Sequence, residues 1–296
     1  MTKIKKTVKS SKAYLAKKIT KVVLINALVA VFALIVVFPF YIMIVTSIKP
    51  FGEGMYFSWW PENPTLEAFK FILIPNETTK QLDLNLPRSF MNTLIVTIPG
   101  TTVGIVTSAM SGYVFAKREF KGKHLMFTLM LSALMLPSAV KMVSLYLIYA
   151  KIGWVDTLLP LLVPQMFGTV SLVFAFRQYM YGIPNSLIEV ARLDGANHVK
   201  IFFLIALPLA MPVIIAHWLL TFMAGYNQYI EPLLYIFDPK WETLQLTLSR
   251  YSQTIGVQNT PIKMAAAAIS MVPLILLYAC SQKFFAKGVM TGALKG

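Results

Sequence analysis

Six stretches of the chain, residues 22–47, 89–116, 125–150, 157–176, 201–230 and 264–282, are apolar over or close to the roughly 20 residues needed to cross a hydrocarbon core about 30 Å thick. They predict an all-α, polytopic membrane protein with six transmembrane helices. Each contains proline: Pro39, Pro99, Pro137, Pro160 and Pro164, Pro208 and Pro212, and Pro273. Proline removes an intrahelical hydrogen bond and tends to bend its helix. Either this is the ordinary excess of proline in membrane helices, or the bent helices enclose a cavity that their freed carbonyls face. Between the fourth and fifth spans the pattern changes. Glu189 to Pro208, EVARLDGANHVKIFFLIALP, reads as a short charged helix, a glycine turn and a new apolar run. Pro184 suits the first turn of that helix, and Leu187, Val190, Ala191 and Asp194 fall on one side at helical spacing. Gly195 lets the backbone take a positive φ where the helix ends.

Of the 296 residues, 57% are hydrophobic and 13% charged, and the mean hydropathy is +0.66, outside the range of soluble globular domains. The net charge of +15 is unevenly placed. Eight lysines crowd the first 21 residues without interleaved aromatics, and an apolar run follows at once. That is the flank of a first membrane helix rather than a nucleic-acid surface. The run exceeds the roughly 7–15 residue core of a signal peptide and lacks a small-x-small cleavage site, so it is expected to be retained. With the N-terminus inside, segments 1–21, 117–124, 177–200 and 283–296 hold 18 Lys+Arg against three acids, while the outer segments hold eight against nine. The asymmetry predicts that both termini and the Glu189 loop are cytosolic. Residues 1–21 then form a basic cytosolic N-terminus and 22–296 one six-span domain, without an internal repeat or a low-complexity segment. Trp59 and Trp60, in an outer loop over 49–87, suit an interfacial aromatic belt or contact with an external partner; the outer loop over 231–263 is similar in character.

The chain lacks GxxxxGK[ST], HExxH and GxSxG motifs, and His124, His198 and His217 are too far apart for local metal spacing. Neither a catalytic nor a metal site is expected, and His217 reads as a hydrogen-bonded interior residue. The single cysteine, Cys280, allows no internal disulfide. The six spans contain no Asp or Glu, which argues against a proton-coupled secondary carrier, although Lys141 and His217 keep that alternative open.

Glu189 and Ala191, then Gly195 after three residues, then Ile205, Leu207 and Pro208 match at the same intervals the EAA loop of membrane subunits of binding-protein-dependent ABC importers. Val190 stands where that pattern has its second alanine. Gly182-Ile183-Pro184, Arg192 to Ala196, Pro64 to Phe69 and the ending from Gln282 to Gly296 resemble the carbohydrate-uptake branch, the maltose-type permeases of the second kind. The resemblance implies a permease subunit that is not itself an enzyme, moving a sugar or oligosaccharide inward; a non-sugar solute, an exporter, a secondary carrier and an intramembrane enzyme are the alternatives. It implies a cytosolic coupling helix between spans 4 and 5, in a loop over 182–208. Glu189, Val190, Ala191, Asp194, Gly195, Leu207 and Pro208 would couple it to an ATPase. The implied partners are a second related permease, two copies of an ATPase subunit that binds ATP and magnesium, an extracellular or periplasmic sugar-binding protein, and membrane lipid. This chain would hold no cofactor and bind no nucleic acid. Lys141, Tyr226, Asn227 and Gln228 are expected to border the translocation pathway, because a charge in an apolar span faces water or protein and sugars favour amide and aromatic partners.

Overall fold

The computed structural model describes residues 2–256 and 259–293, with side chains over 18–54, 56–137, 139–256 and 259–281. The expectations placed on the lysines before residue 18 and on the tail from Gln282 lie outside the described side chains. All regular structure among the described residues is helical: α1 Thr2–Ser47, α2 Glu67–Leu73, α3 Glu77–Gln81, α4 Leu86–Lys117, α5 Lys123–Ser132, α6 Ser138–Lys151, α7 Leu159–Met166, α8 Val170–Tyr181, α9 Asn185–Leu193, α10 His198–Ile201, α11 Leu207–Tyr226, α12 Ile230–Tyr235, α13 Leu244–Thr254 and α14 Thr260–Ala293. Two compact units are present, one within Met1–Phe69 and Val257–Ala268, the other within Lys70–Gly256 and Ile269–Gly296.

In the first unit α1 is exposed from Val22 through Phe40 and, Asn26 apart, apolar there. Beyond its end, Lys49 is buried and donates to the Tyr56 carbonyl at 2.6 Å. Trp59 stacks edge-on against Phe38 and Phe57 and accepts a hydrogen bond from Tyr41 through its carbonyl.

The second unit is organised on α4. Its buried positions recur every three to four residues and are mostly small: Ser89, Thr93, Thr97, Gly100, Gly104, Ser108 and Gly112. Among apolar helices there is little hydrophobic drive to associate, so close backbone approach over small residues does the packing. A Cβ on Gly112 would sit 2.8 Å from the Arg177 nitrogen of α8, and one on Gly104 would overlap the Gln165 carbonyl of α7. Helices α7, α8 and α11 all lie against α4.

Five helical stretches are long and apolar enough to span: 18–47, 86–117, 159–181, 198–226 and 260–281. The third expected span departs from a single helix. Over 123–151 it is two helices meeting at 102°. Pro137 at the break donates no hydrogen bond, and Leu136 before it is extended, as a residue preceding proline prefers. The fourth span is also broken, between α7 and α8. Gly168 takes φ +74° there, and any side chain would strike Ser108; Thr169 then caps α8 by accepting from the Leu172 nitrogen. In the fifth, a π-helical turn over Phe202–Ala206 precedes Pro208. The wider turn accommodates a proline that supplies no N–H.

The loop over 236–256, featureless in sequence, is folded and anchored. Glu242, 5% exposed, pairs with Arg250 at 2.6 Å and accepts from Thr247. Arg250 also donates to the carbonyls of Leu82 and Asp83. Asn92 donates to the carbonyls of Lys240 and Glu242, and Thr93 accepts from the Leu244 nitrogen. Asp156, at φ +65°, adds a staple by accepting from the nitrogens of Phe237 and Asp238.

Candidate functional site

Two places carry the sequence-derived residues, and they lie toward opposite ends of α4. Helix α9 begins after Pro184 and buries Ile188 and Ala191 in a cluster with Tyr113, Phe176, Met180 and Phe202. The buried face is therefore Ile188 and Ala191; of the four residues that share one side by spacing, Ala191 alone is buried and Leu187, Val190 and Asp194 are exposed. Leu187, Val190 (57% exposed) and Leu193 (88%) stand clear of the bundle. Glu189, Arg192 and Asp194 are exposed too, and none makes a side-chain hydrogen bond or ion pair among the described residues. An i,i+3 pair between Glu189 and Arg192 is absent.

The end of α9 has a reason in its sequence. Gly195 takes φ +78°, its nitrogen donates to the Arg192 carbonyl, and the Ala196 nitrogen reaches back to Ala191. These two bonds form a Schellman motif, and Ala196 packs on the cluster holding Ala191, the apolar contact that accompanies such a turn. Asn197 caps the next helix by accepting from the Lys200 nitrogen. Leu207 is half-buried on the same cluster, and Pro208 is exposed in the first turn of α11.

A residue the sequence reading missed holds this loop in place. Lys117, in the last turn of α4, donates to the Ile183 carbonyl at 2.6 Å and to Asn185 Oδ1 at 2.8 Å, with the Tyr181 carbonyl at 3.5 Å. A cation also suits the negative end of the α4 dipole. In the turn that follows α4, Lys123 hydrogen-bonds Glu119 at 2.8 Å and holds its carboxyl below the usual carboxylate range. His217, expected to be hydrogen-bonded, makes no hydrogen bond among the described residues; half-buried, it packs edge-on against Phe176, with ring centroids 5.4 Å apart.

The second place is a cavity of about 520 Å³ bounded by α4, α6, α7, α11 and α12. Lys141 and Gln228 both line it. Tyr226 does not: it is 1% exposed, and its hydroxyl donates to the Ser270 carbonyl. Asn227 ends α11, donating to the Met223 carbonyl and accepting from Gln245. The cavity also receives Gln165 and Glu231, which the sequence reading did not single out. Gln165 follows Pro164 at the end of α7 and donates to Thr101 Oγ1 at 3.1 Å. Gly100 and Gly225 leave room for its amide, since a Cβ at either would lie 2.5 or 3.1 Å from it.

Residues 100–291 match the model of the binding-protein-dependent transport system inner membrane component. The arabinooligosaccharides transport system permease protein AraQ of Halalkalibacterium halodurans is 31% identical over 90% of this chain and 94% of its own length. The trehalose/maltose transport system permease protein MalG of Thermococcus litoralis is 31% identical over 89% and 93%, and the melibiose/raffinose/stachyose import permease protein MelC of Bacillus subtilis 30% identical over 92% and 96%. Among solved structures, a bacterial ABC transporter involved in the import of the acidic polysaccharide alginate superposes with a TM-score of 0.78 at 20% identity, over 89% of this chain and 95% of that one, a likeness of fold. With a helix on an αL glycine turn at the matching position and the family model covering most of the spans, the chain belongs to the inner membrane components of binding-protein-dependent transport systems, the permease subunits of ABC transporters.

Proposed function

We propose that this chain is the permease subunit of an ATP-driven importer for a sugar or oligosaccharide, forming half of the translocation pathway. The observation that carries the reading is the α9 surface. Leu187, Val190 and Leu193 are exposed beside Glu189 and Asp194, on a loop fixed at both ends by Lys117 and by the Gly195 turn. An exposed apolar strip flanked by unpaired carboxylates suits a cleft in a second protein better than anionic lipid headgroups, which would call for lysines. Docked in an ATPase subunit, α9 would pass closure of that subunit to α8 and α11 and rock the cavity open to alternate sides. Glu189, Val190, Asp194 and Gly195 then contact the ATPase, Ala191 and Leu207 seat the helix on the bundle, and Pro208 marks where the span begins.

The partners follow from that role: a second related permease, a pair of ATPase subunits holding ATP and magnesium, and an extracellular or periplasmic sugar-binding protein. Both termini lie on the cytosolic side of the cell membrane, consistent with the excess of basic residues in the segments on that side. The sugar class draws support from the substrates named for the relatives, and the polar cavity with Lys141 and Gln228 is suited to a hydroxylated cargo. The test is to purify the chain with the subunits it brings from the membrane, reconstitute them in liposomes, and measure ATP hydrolysis with sugar-loaded binding protein. Stimulated hydrolysis with inward sugar flux is expected; flux that needs no ATPase, or no co-purifying ATPase at all, would overturn the reading.

A further inference from the structure

The cavity collects polar groups that the bundle itself does not partner. Lys141 on α6 and Glu231 on α12 both line it, and neither makes a hydrogen bond or ion pair among the described residues. The amide of Gln228 is equally free. Thr243, also on the wall and only 5% exposed, has a buried hydroxyl with no partner. The buried Thr243 hydroxyl is costly without a partner, and the exposed Lys141 ammonium with the half-buried Glu231 carboxylate and Gln228 amide stand open on the same wall to a ligand rich in hydrogen-bonding groups. The volume of about 520 Å³ suits a small-molecule site. Gln165 is held ready by Thr101 and by the two glycines.

Among the described residues, Lys141 and Glu231 are the only ionisable ones on this wall, and their formal charges sum to zero. With Lys141 alone the cavity would attract carboxylates. Glu231 cancels that attraction and leaves hydroxyl and amide chemistry to select the cargo. We propose that this chain carries its own saccharide-contacting subsite, selective for uncharged oligosaccharides, and that Glu231 is the residue that turns uronate-bearing sugars away. This rests on the sugar-import reading and adds to it a charge class and a specificity-determining residue.

The test uses the chain purified with its membrane and ATPase partners in nanodiscs. No binding protein is added, so that only the selectivity of the membrane subunits is read. Raffinose and maltotriose are titrated as neutral trisaccharides and trigalacturonate as an acidic one, with binding followed by calorimetry. At least one neutral trisaccharide is expected to bind about tenfold or more tighter than trigalacturonate. Glu231→Gln should move that ratio toward trigalacturonate by about tenfold or more, the effect of one unit charge roughly 8 Å away at an effective dielectric constant of about 20. Lys141→Met should move it the other way, and it decides the matter alone if Glu231→Gln is not recovered from the membrane. A wild-type preference for trigalacturonate, or a ratio that neither substitution moves, would overturn the charge selection while leaving sugar import standing. Absence of binding by all three saccharides would overturn the subsite in this chain, and sugar-stimulated flux in liposomes then decides separately whether sugar import stands.

Discussion

Replacing Lys117 with methionine keeps the aliphatic stem on α4 but removes the ammonium that holds the α9 loop. Two short charge-assisted hydrogen bonds are lost, to the Ile183 carbonyl at 2.6 Å and to Asn185 Oδ1 at 2.8 Å. Such bonds contribute about 1.5–3 kcal/mol each when shielded. Lys117 is half-exposed, so screening brings each to about 1 kcal/mol. A total near 2 kcal/mol raises the undocked population of the loop about 30-fold. Ile188 and Ala191 keep α9 on the bundle, so the loop loosens without unfolding. Hydrogen exchange of the amides over 183–196 in the purified assembly should speed by about that factor while the spans stay protected. Membrane levels of Lys117→Met should match wild type, and hydrolysis should lose its response to the loaded binding protein. Lys117→Arg should restore part of the protection. Unchanged exchange over 183–196 together with full uptake would refute the clamp.

Gly195 has open space around an added Cβ, so only its positive φ constrains it. Gly195→Asn should therefore fold normally, whereas Gly195→Val should cost about 1–2 kcal/mol. If Gly195→Asn sits in the membrane at normal levels yet ATPase co-purification or uptake is lost, the loss belongs to the docking surface; normal uptake by both variants would refute a coupling role. Arg250→Met leaves the Glu242 carboxylate buried without its cation, and because Arg250 is partly exposed the cost should fall at or below the low end of the 3–5 kcal/mol seen for buried pairs. The thermal midpoint of the assembly should fall and be largely restored by adding Glu242→Leu; an unchanged midpoint would show that the pair does not hold the loop. Leu193→Cys in a Cys280→Ser background should resist impermeant thiol reagents applied outside intact cells, and rapid external labelling would reverse the proposed orientation.

What could be read directly from the residues was whatever depends on local chemistry. Apolar runs of spanning length located the membrane helices, and Gly195 announced its own left-handed turn. Where geometry depends on a distant partner, the residues alone said less. Which side of α9 lies inward could not be read, because Ile188 and Ala191 turn inward only once Phe176 and Phe202 are in place. Pro137 signalled a bend, but its 102° is not implied by proline, which is compatible with anything from a slight kink to a break. The anchored loop over 236–256 was silent because Glu242, Thr247 and Arg250 resemble ordinary loop polarity until α4 supplies Ser89, Asn92 and Thr93. Lys117 was counted only as a charge orienting the chain. Its hydrogen bonds to residues more than 60 positions later have no local signature.

The small-residue seam of α4 bears on how substitution surveys of such a chain should be read. Gly104 and Gly112 face only backbone and core of α7 and α8, yet a single added methyl at either meets atoms at less than ordinary contact distance. A screen scored on growth with the transported nutrient would rank both beside Gly195, and would paint the second span as the seat of function. Scoring each variant for surviving protein as well as for growth separates the two kinds of intolerance. Gly104 and Gly112 should lose the protein along with the growth, whereas Gly195 should lose growth alone.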